Sequence, residues 1–350
     1  MAGAFTQFGT SDIINSIDSI TGTVWSGNQP RLTVAFTSSV QNASNTGNFY
    51  VHVYQTSSAN TTAAVQFDIA YAQPTGGGAL RFNSAVTGNS PTATVYGQYR
   101  SMVLQDENQN FIFGDVTGSD FYVVTPMRAR YKQELMPGTF ELHLSGSSAS
   151  NTNLTLIDNS KTTTVATFIG TNPAYQIVSG SINNGVYTGV NSNGYTSISG
   201  SYGLFLPDIG VIMLNARALA TDSTQGINLE TVQTTNTNGQ NPLKLMKVIS
   251  GSGVMSGSVN FQLNAKETIT SDYVFVRARN AEFNYSENPS FISGSNGGVI
   301  YSEFIDNPQV YLTTIGMYND ANELMAVAKL SKPVLKDFTK EALVRVKLDF

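Results

Sequence analysis

The chain has no cysteine, two histidines and a single tryptophan. Without cysteine there are no disulfides, no thiolate metal sites and no thiol nucleophile. Two histidines leave little material for a His-based metal centre or a Ser-His triad. Charge is scarce too. Asp, Glu, Lys and Arg make up 12% of the 350 residues, about half the usual share. The net charge of −5 offers no basic field to gather nucleic acid or an anionic membrane. No apolar run approaches the ~20 residues of a membrane helix, so no membrane insertion is expected. The opening MAGAFTQFGT lacks the basic and apolar stretches of a secretory signal.

What is abundant is neutral polarity. Ser, Thr and Asn number 105, or 30% of the chain, beside 31 Gly. Such a composition is familiar in extracellular β proteins, which are usually stapled by disulfides. A polar, low-charge, β-rich chain free of cysteine fits a protein that folds in a reducing cytoplasm and works outside it, as virion proteins do.

Strand signals dominate. RLTVAFT (31–37), NFYVHVYQ (48–55) and AAVQFDIA (63–70) are β-branched and aromatic runs with partial alternation. Further runs are FELHLSG, LTLIDNS, YQIVSG, GLFL, GVIML, YVFVRAR, YLTTIGMY, LMAVAKL and LVRVKLDF, with YNDANEL as a hairpin turn. The fold expected is mainly β, several antiparallel sandwich or barrel-like units with a few short helices. Two helices are expected: SDIINSIDSI (11–20), capped by Ser11, and MRARYKQEL (127–135), opened by Thr125-Pro126 and carrying Arg130 and Glu134 at i,i+4. The stretch 183–199 reads as hairpins with exposed turns, and 221–242 as a long polar loop.

Three parts are expected, 1–90, 91–245 and 246–350. Residues 1–90 carry only Asp12, Asp18, Arg31, Asp68 and Arg81 as charged side chains, whereas 265–350 hold 20 of the 43. In LVRVKLDF, Val344, Val346 and Leu348 form an apolar face, with Leu343, Arg345, Lys347 and Asp349 opposite.

Motifs for chemistry are thin. His52 and His143 stand inside strands, and only His143 has an acid close by, Glu141. DENQN (106–110) resembles half of a calcium loop, but Phe111 and Thr117 stand where Gly and Glu are required. GSGVMSG lacks the helix and acidic partner of a dinucleotide loop. Tyr187 and Tyr195 are candidate turn aromatics for sugar stacking. No catalytic, cofactor-binding or metal-ligating residue is assigned, and no enzyme activity or cofactor is expected. Candidate partner-contact residues are Ile13 and Ile17, the basic set Arg128, Arg130 and Lys132, and the strand residues Arg345 and Lys347.

Several segments carry a family resemblance. VYLTTIGMYNDANELMAVAKLSKPVLKDFTKEALVRVKLDF (310–350) and the preceding FVRARNAEFNYSENPSF resemble the C-terminal part of virion structural proteins of T4-like marine phages, cyanophages included. FTSSVQNASNTGNFYVHVYQ, AVQFDIAYAQ, VYGQYRSMVLQDENQNFIFG, YVVTPMRARYKQELMPGTFELHLSG and YGLFLPDIGVIMLNARAL resemble the same family, in the same order. IGMYNDANELMAVAKLSKP is similar to a hairpin of some tail-collar fibre proteins. The resemblance implies a structural component of a tailed-phage virion, associated with tail, baseplate or neck. Its expected partners are copies of itself and other virion proteins, assembled in the host cytoplasm. A host-surface glycan-binding module is the alternative, and a polysaccharide depolymerase the third reading. The resemblance transfers no catalytic residue.

Overall fold

A computed structural model describes residues 6–38, 50–78, 89–145, 153–162, 167–182, 197–220, 226–229, 240–250, 256–286, 288–294 and 296–349. Two compact units emerge, one of residues 20–267 and one that joins residues 1–19 to 268–350. The three-part division at 90 and 245 does not hold. A single sheet draws strands from all three parts, and the units separate instead at 19/20 and at 267/268.

The strands, in chain order, are β1 (Ile13–Thr23), β2 (Arg31–Thr37), β3 (Tyr50–Tyr54), β4 (Val65–Ala72), β5 (Ile112–Phe113), β6 (Val116–Thr117) and β7 (Phe121–Pro126). They continue as β8 (Glu134–Leu135), β9 (Glu141–Ser145), β10 (Asn153–Asp158), β11 (Thr167–Ile169), β12 (Asn172–Ser179), β13 (Gly203–Leu206) and β14 (Val211–Asn215). The last are β15 (Ser256–Gln262), β16 (Asn264–Ala278), β17 (Val310–Tyr318), β18 (Leu324–Lys336) and β19 (Ala342–Asp349).

In the larger unit, ten strands close on themselves in the order β10-β9-β15-β2-β3-β4-β7-β14-β13-β12. The ring shuts where β10 pairs with β12, Leu156 opposite Ser179 and Asp158 opposite Ile177. All these pairings are antiparallel, and among the described residues every strand of the ring has a neighbour on both sides. Every barrel strand gives at least one side chain to one core, among them Leu32, Val53, Leu142, Leu156, Ile177 and Phe261. A core fed by the whole ring is its interior. Helix Gln240–Ile249 adds Leu245, Met246, Val248 and Ile249 to that interior.

The period of two along a strand divides the wall between two cores. Phe67, Ile69 and Tyr71 point inward, while Ala70 and Ala72 point to a second cluster. Likewise Tyr122 and Val124 face in and Phe121 and Val123 out; Ile212 and Leu214 face in and Val211 and Met213 out. The outer cluster is covered by helix Pro91–Tyr99, a π-helical turn at Arg100–Leu104 and the Phe111–Phe113 segment leading into β5. This explains why GLFL and GVIML read as continuous apolar runs: that part of the wall is buried on both faces. Pro91 at the first helical turn and Gln105 in left-handed backbone (φ 58°) mark the two ends of the cover.

In the smaller unit, β1, β16 and β19 form a sheet, and β17 and β18 a hairpin. β19 pairs with β16 in register from Ser271 opposite Asp349 to Ala278 opposite Ala342. Val274, Met317 and Val346 are its buried core, edged by Val276, Ile315, Val344 and Leu348. The two-faced reading of LVRVKLDF therefore stands.

Two helix expectations fail. Ser11–Ile20 is mostly strand β1, and no helical stripe is buried: Ile13 is 43% exposed and Ile17 71%. The repeated β-branched isoleucines favour strand, and neighbouring backbone is paired, with Phe275 N donating to Asp12 O at 2.7 Å. MRARYKQEL forms only a 3-10 turn at Arg128–Arg130, then extended chain into β8. β7 runs through Pro126, whose missing N–H costs nothing at a strand end. Glu134 pairs with Lys266 at 2.9 Å rather than with Arg130.

Candidate functional site

One polar cluster lies on the outer wall of the barrel. Gln262 of β15 stands opposite both Arg31 of β2 and Glu141 of β9, which sets the three strands in one row. Arg31 Nη2 reaches Glu141 Oε1 at 3.1 Å, and His143 Nε2 meets the same oxygen at 2.9 Å. Ile182 N donates to Glu141 Oε2 at 3.0 Å, and Thr155 Oγ1 lies 3.2 Å from His143 Nδ1. Burial pushes the Glu141 carboxyl up, but the Ile182 amide, His143 and Arg31 outweigh it and hold it below the usual range. Both carboxylate oxygens and both ring nitrogens are engaged. The cluster ties strands in register and presents no open acid or base.

A second pair joins His52 Nδ1 to Asp68 Oδ1 at 2.6 Å across β3 and β4, where the two residues are direct partners. Tyr50 and Tyr54 flank the imidazole with ring planes turned 71° and 70° from it. Burial, with a smaller contribution from Asp68, pushes the Tyr99 phenol up to about 12.

A third cluster gathers Glu134 of β8, Asp208 of the β13–β14 turn and Lys266 of β16. Burial and a hydrogen bond to Glu134 push the Asp208 carboxyl up, while Lys266 opposes the shift. Nearby, Asp158 caps the turn after β10. It accepts Gly138 N at 2.9 and 3.0 Å and Ser160 N at 3.1 Å. Burial raises its carboxyl even against these donors.

The expected contact residues are dispersed. Arg128 spends its guanidinium on the carbonyls of Tyr131 and Lys132 and lies 4.5 Å over the Tyr131 ring. Arg130 reaches Val65 O at 3.4 Å, and Lys132 pairs with Glu267 at 3.0 Å. Arg345 and Lys347 both lie over Tyr273, at 5.2 and 5.9 Å, and Lys347 also pairs with Asp349 at 2.9 Å. Ile13 and Ile17 are exposed on β1. Asp106, in the calcium-like run, accepts the Asn108 amide in an Asx turn. Tyr187 and Tyr195 lie outside the described residues, as does most of 183–199 and of 221–242.

Sequence reasoning missed the His52–Asp68 pair and the reach of Arg31 to Glu141. Both depend on strand register, for which the sequence offers only alternation. Among the described residues no group of three or more His, Asp or Glu could hold a metal ion, and no helix is long and apolar enough to cross a membrane. Comparison with family models, with curated proteins and with solved structures returns no match.

Proposed function

We propose that this chain is a structural component of a tailed-phage virion, in the tail, baseplate or neck, that works by packing on copies of itself and on neighbouring virion proteins. The observation that carries the reading is the contrast between the two units. The barrel buries its apolar side chains in two cores. The smaller unit buries few and leaves Ile17, Tyr311, Leu324, Met325, Val327 and Phe338 more than half exposed. Apolar surface on that scale marks an interaction site in a soluble protein. The resemblance of the segments within 36–146, 202–219 and 275–350 to phage virion proteins supplies the kind of particle. The polar clusters support the same reading, since each is closed on itself and serves to hold strands.

The test is to locate the chain in purified phage particles, by mass spectrometry of the particle and a cryo-EM map. Density for the barrel at a repeated position in tail, baseplate or neck is expected. Particles that lack the chain would overturn the proposal. No release of reducing sugar from host envelope is expected; release abolished by Glu134→Gln or Asp208→Asn would favour a depolymerase. The half-buried row Tyr50, His52 and Tyr54 favours glycan binding as a second reading. Its rings stand edge to face instead of forming a flat platform, and a glycan array with Tyr54→Ala as control tests it.

A further inference from the structure

We infer that β17 is a pairing edge at which a second copy of this chain adds its own β17, antiparallel, across a two-fold axis at Thr314. The inference rests on the assembly reading above and names the surface.

The four strand edges of the smaller unit differ in how they are guarded. β18 carries Lys329, Lys332 and Pro333, and β19 carries Arg345, Lys347 and Asp349. β1 carries Asp18. Lysines, other charges and proline on an edge oppose the addition of another strand. β17, VYLTTIGMY, has no charged residue and no proline. It pairs with β18 on one side. From Val310 to Met317 its other side makes no backbone hydrogen bond among the described residues. A two-stranded hairpin is marginal by itself and gains from a third strand.

The occupant follows from charge and register. In an isologous contact each strand meets its own sequence, so a charged strand opposes like charges when its charged residue nears the axis. β17 is free of that cost. A two-fold axis normal to the sheet requires opposed residues to differ by an even number. Centred on Thr314, it sets Thr314 against Thr314, Thr313 against Ile315, Leu312 against Gly316 and Tyr311 against Met317. The bulkier residue of the Leu312 pair then faces a glycine, and the two threonines form a favoured cross-strand pair. Tyr311, 66% exposed on β17, supplies apolar cover beside the seam.

The absence of cysteine makes the test clean. Thr314→Cys, oxidised in its folded state, is expected to run as a disulfide-linked dimer, because opposed strand residues stand within disulfide reach. Leu343→Cys, exposed on β19, serves as the control and should stay single. Light scattering should give a dimer for the unaltered chain and about tenfold weaker association for Thr314→Glu. Mixing Thr314→Glu with Thr314→Lys should restore it. Circular dichroism confirms that each variant is folded. A monomeric unaltered chain, or a dimer in which Thr314→Cys does not cross-link, overturns the pairing. Either result leaves the assembly reading intact if the chain is found in particles. Absence from particles together with a Thr314-linked dimer overturns the assembly reading alone.

Discussion

Lys336 Nζ donates to Asn284 Oδ1 at 2.7 Å, and both residues are buried. Its other two acceptors are the carbonyls of Asn280 and Asp337, each at 3.0 Å. Three donors thus meet three acceptors, which fastens the loop after β16 to the end of β18. An ammonium so placed is held by satisfied hydrogen bonds rather than by an opposite charge. Lys336→Met leaves those acceptors without a partner and is expected to cost about 2–4 kcal/mol. The single tryptophan, Trp25, lies in the barrel core and reports that unit alone. Denaturation followed by far-UV circular dichroism should shift to lower denaturant. The Trp25 fluorescence transition should not move. Equal movement of both signals would refute a role confined to the smaller unit.

Glu141 supplies a pH dependence. Its folded carboxyl lies below the ordinary range because the Ile182 amide, His143 and Arg31 outweigh burial. A lowered carboxyl contributes stability above its unfolded value and loses it as pH falls through the folded value. Glu141→Gln should therefore destabilise the barrel by about 1–3 kcal/mol at neutral pH. The gap to the unaltered protein should close in acid, below the ordinary carboxylate range. A gap independent of pH would show that the ion pairs contribute nothing.

Gly210 sits in the β13–β14 turn with φ 68°, and a Cβ there would lie 1.8 Å from Tyr131 Oη. Gly210→Ala combines left-handed strain with a clash against a ring already packed beneath Arg128. A loss of about 2–4 kcal/mol is expected, read from the thermal midpoint. Adding Tyr131→Ala should recover only the steric part.

Truncation after Ala342 removes all of β19 but its first residue, seven of its eight paired positions with β16, and the buried Val346 with half-buried Val344 and Leu348. These side chains contribute roughly 3–6 kcal/mol, close to the stability of a small domain. The truncated chain should be insoluble or protease-sensitive in the smaller unit. Lys347→Ala, with an exposed side chain, should fold normally. A soluble, protease-resistant truncated chain would contradict the strand's place in the core.

Strand identity was legible where side chains alternate or run β-branched. RLTVAFT and GLFL match their strands residue for residue, and LVRVKLDF is displaced by one. The failures share a cause. Ile13, Ile14, Ile17 and Ile20 occur at helical spacing by coincidence, and β-branching outweighs the spacing. Barrel closure rests on Leu156 opposite Ser179, a contact that no local pattern encodes. The helix Pro91–Tyr99 carries no such signal, because its neutral sequence PTATVYGQY has almost no amphipathic contrast. The joining of residues 1–19 to 268–350 likewise has no local signature, since it depends on β1 pairing with β16 across the whole barrel sequence.

The smaller unit is split, with β1 at one end of the sequence and β16 to β19 at the other. On a ribosome making about 5–20 residues per second, β1 waits some ten to fifty seconds for the strand it pairs with. The barrel can close during that interval, since all of its strands precede β16. Its folding brings the two halves of the split unit into reach of each other and shortens the loop that their pairing must close. Until then the isoleucines of β1 have no partner strand, and nascent chains are most vulnerable to capture by one another at that stage.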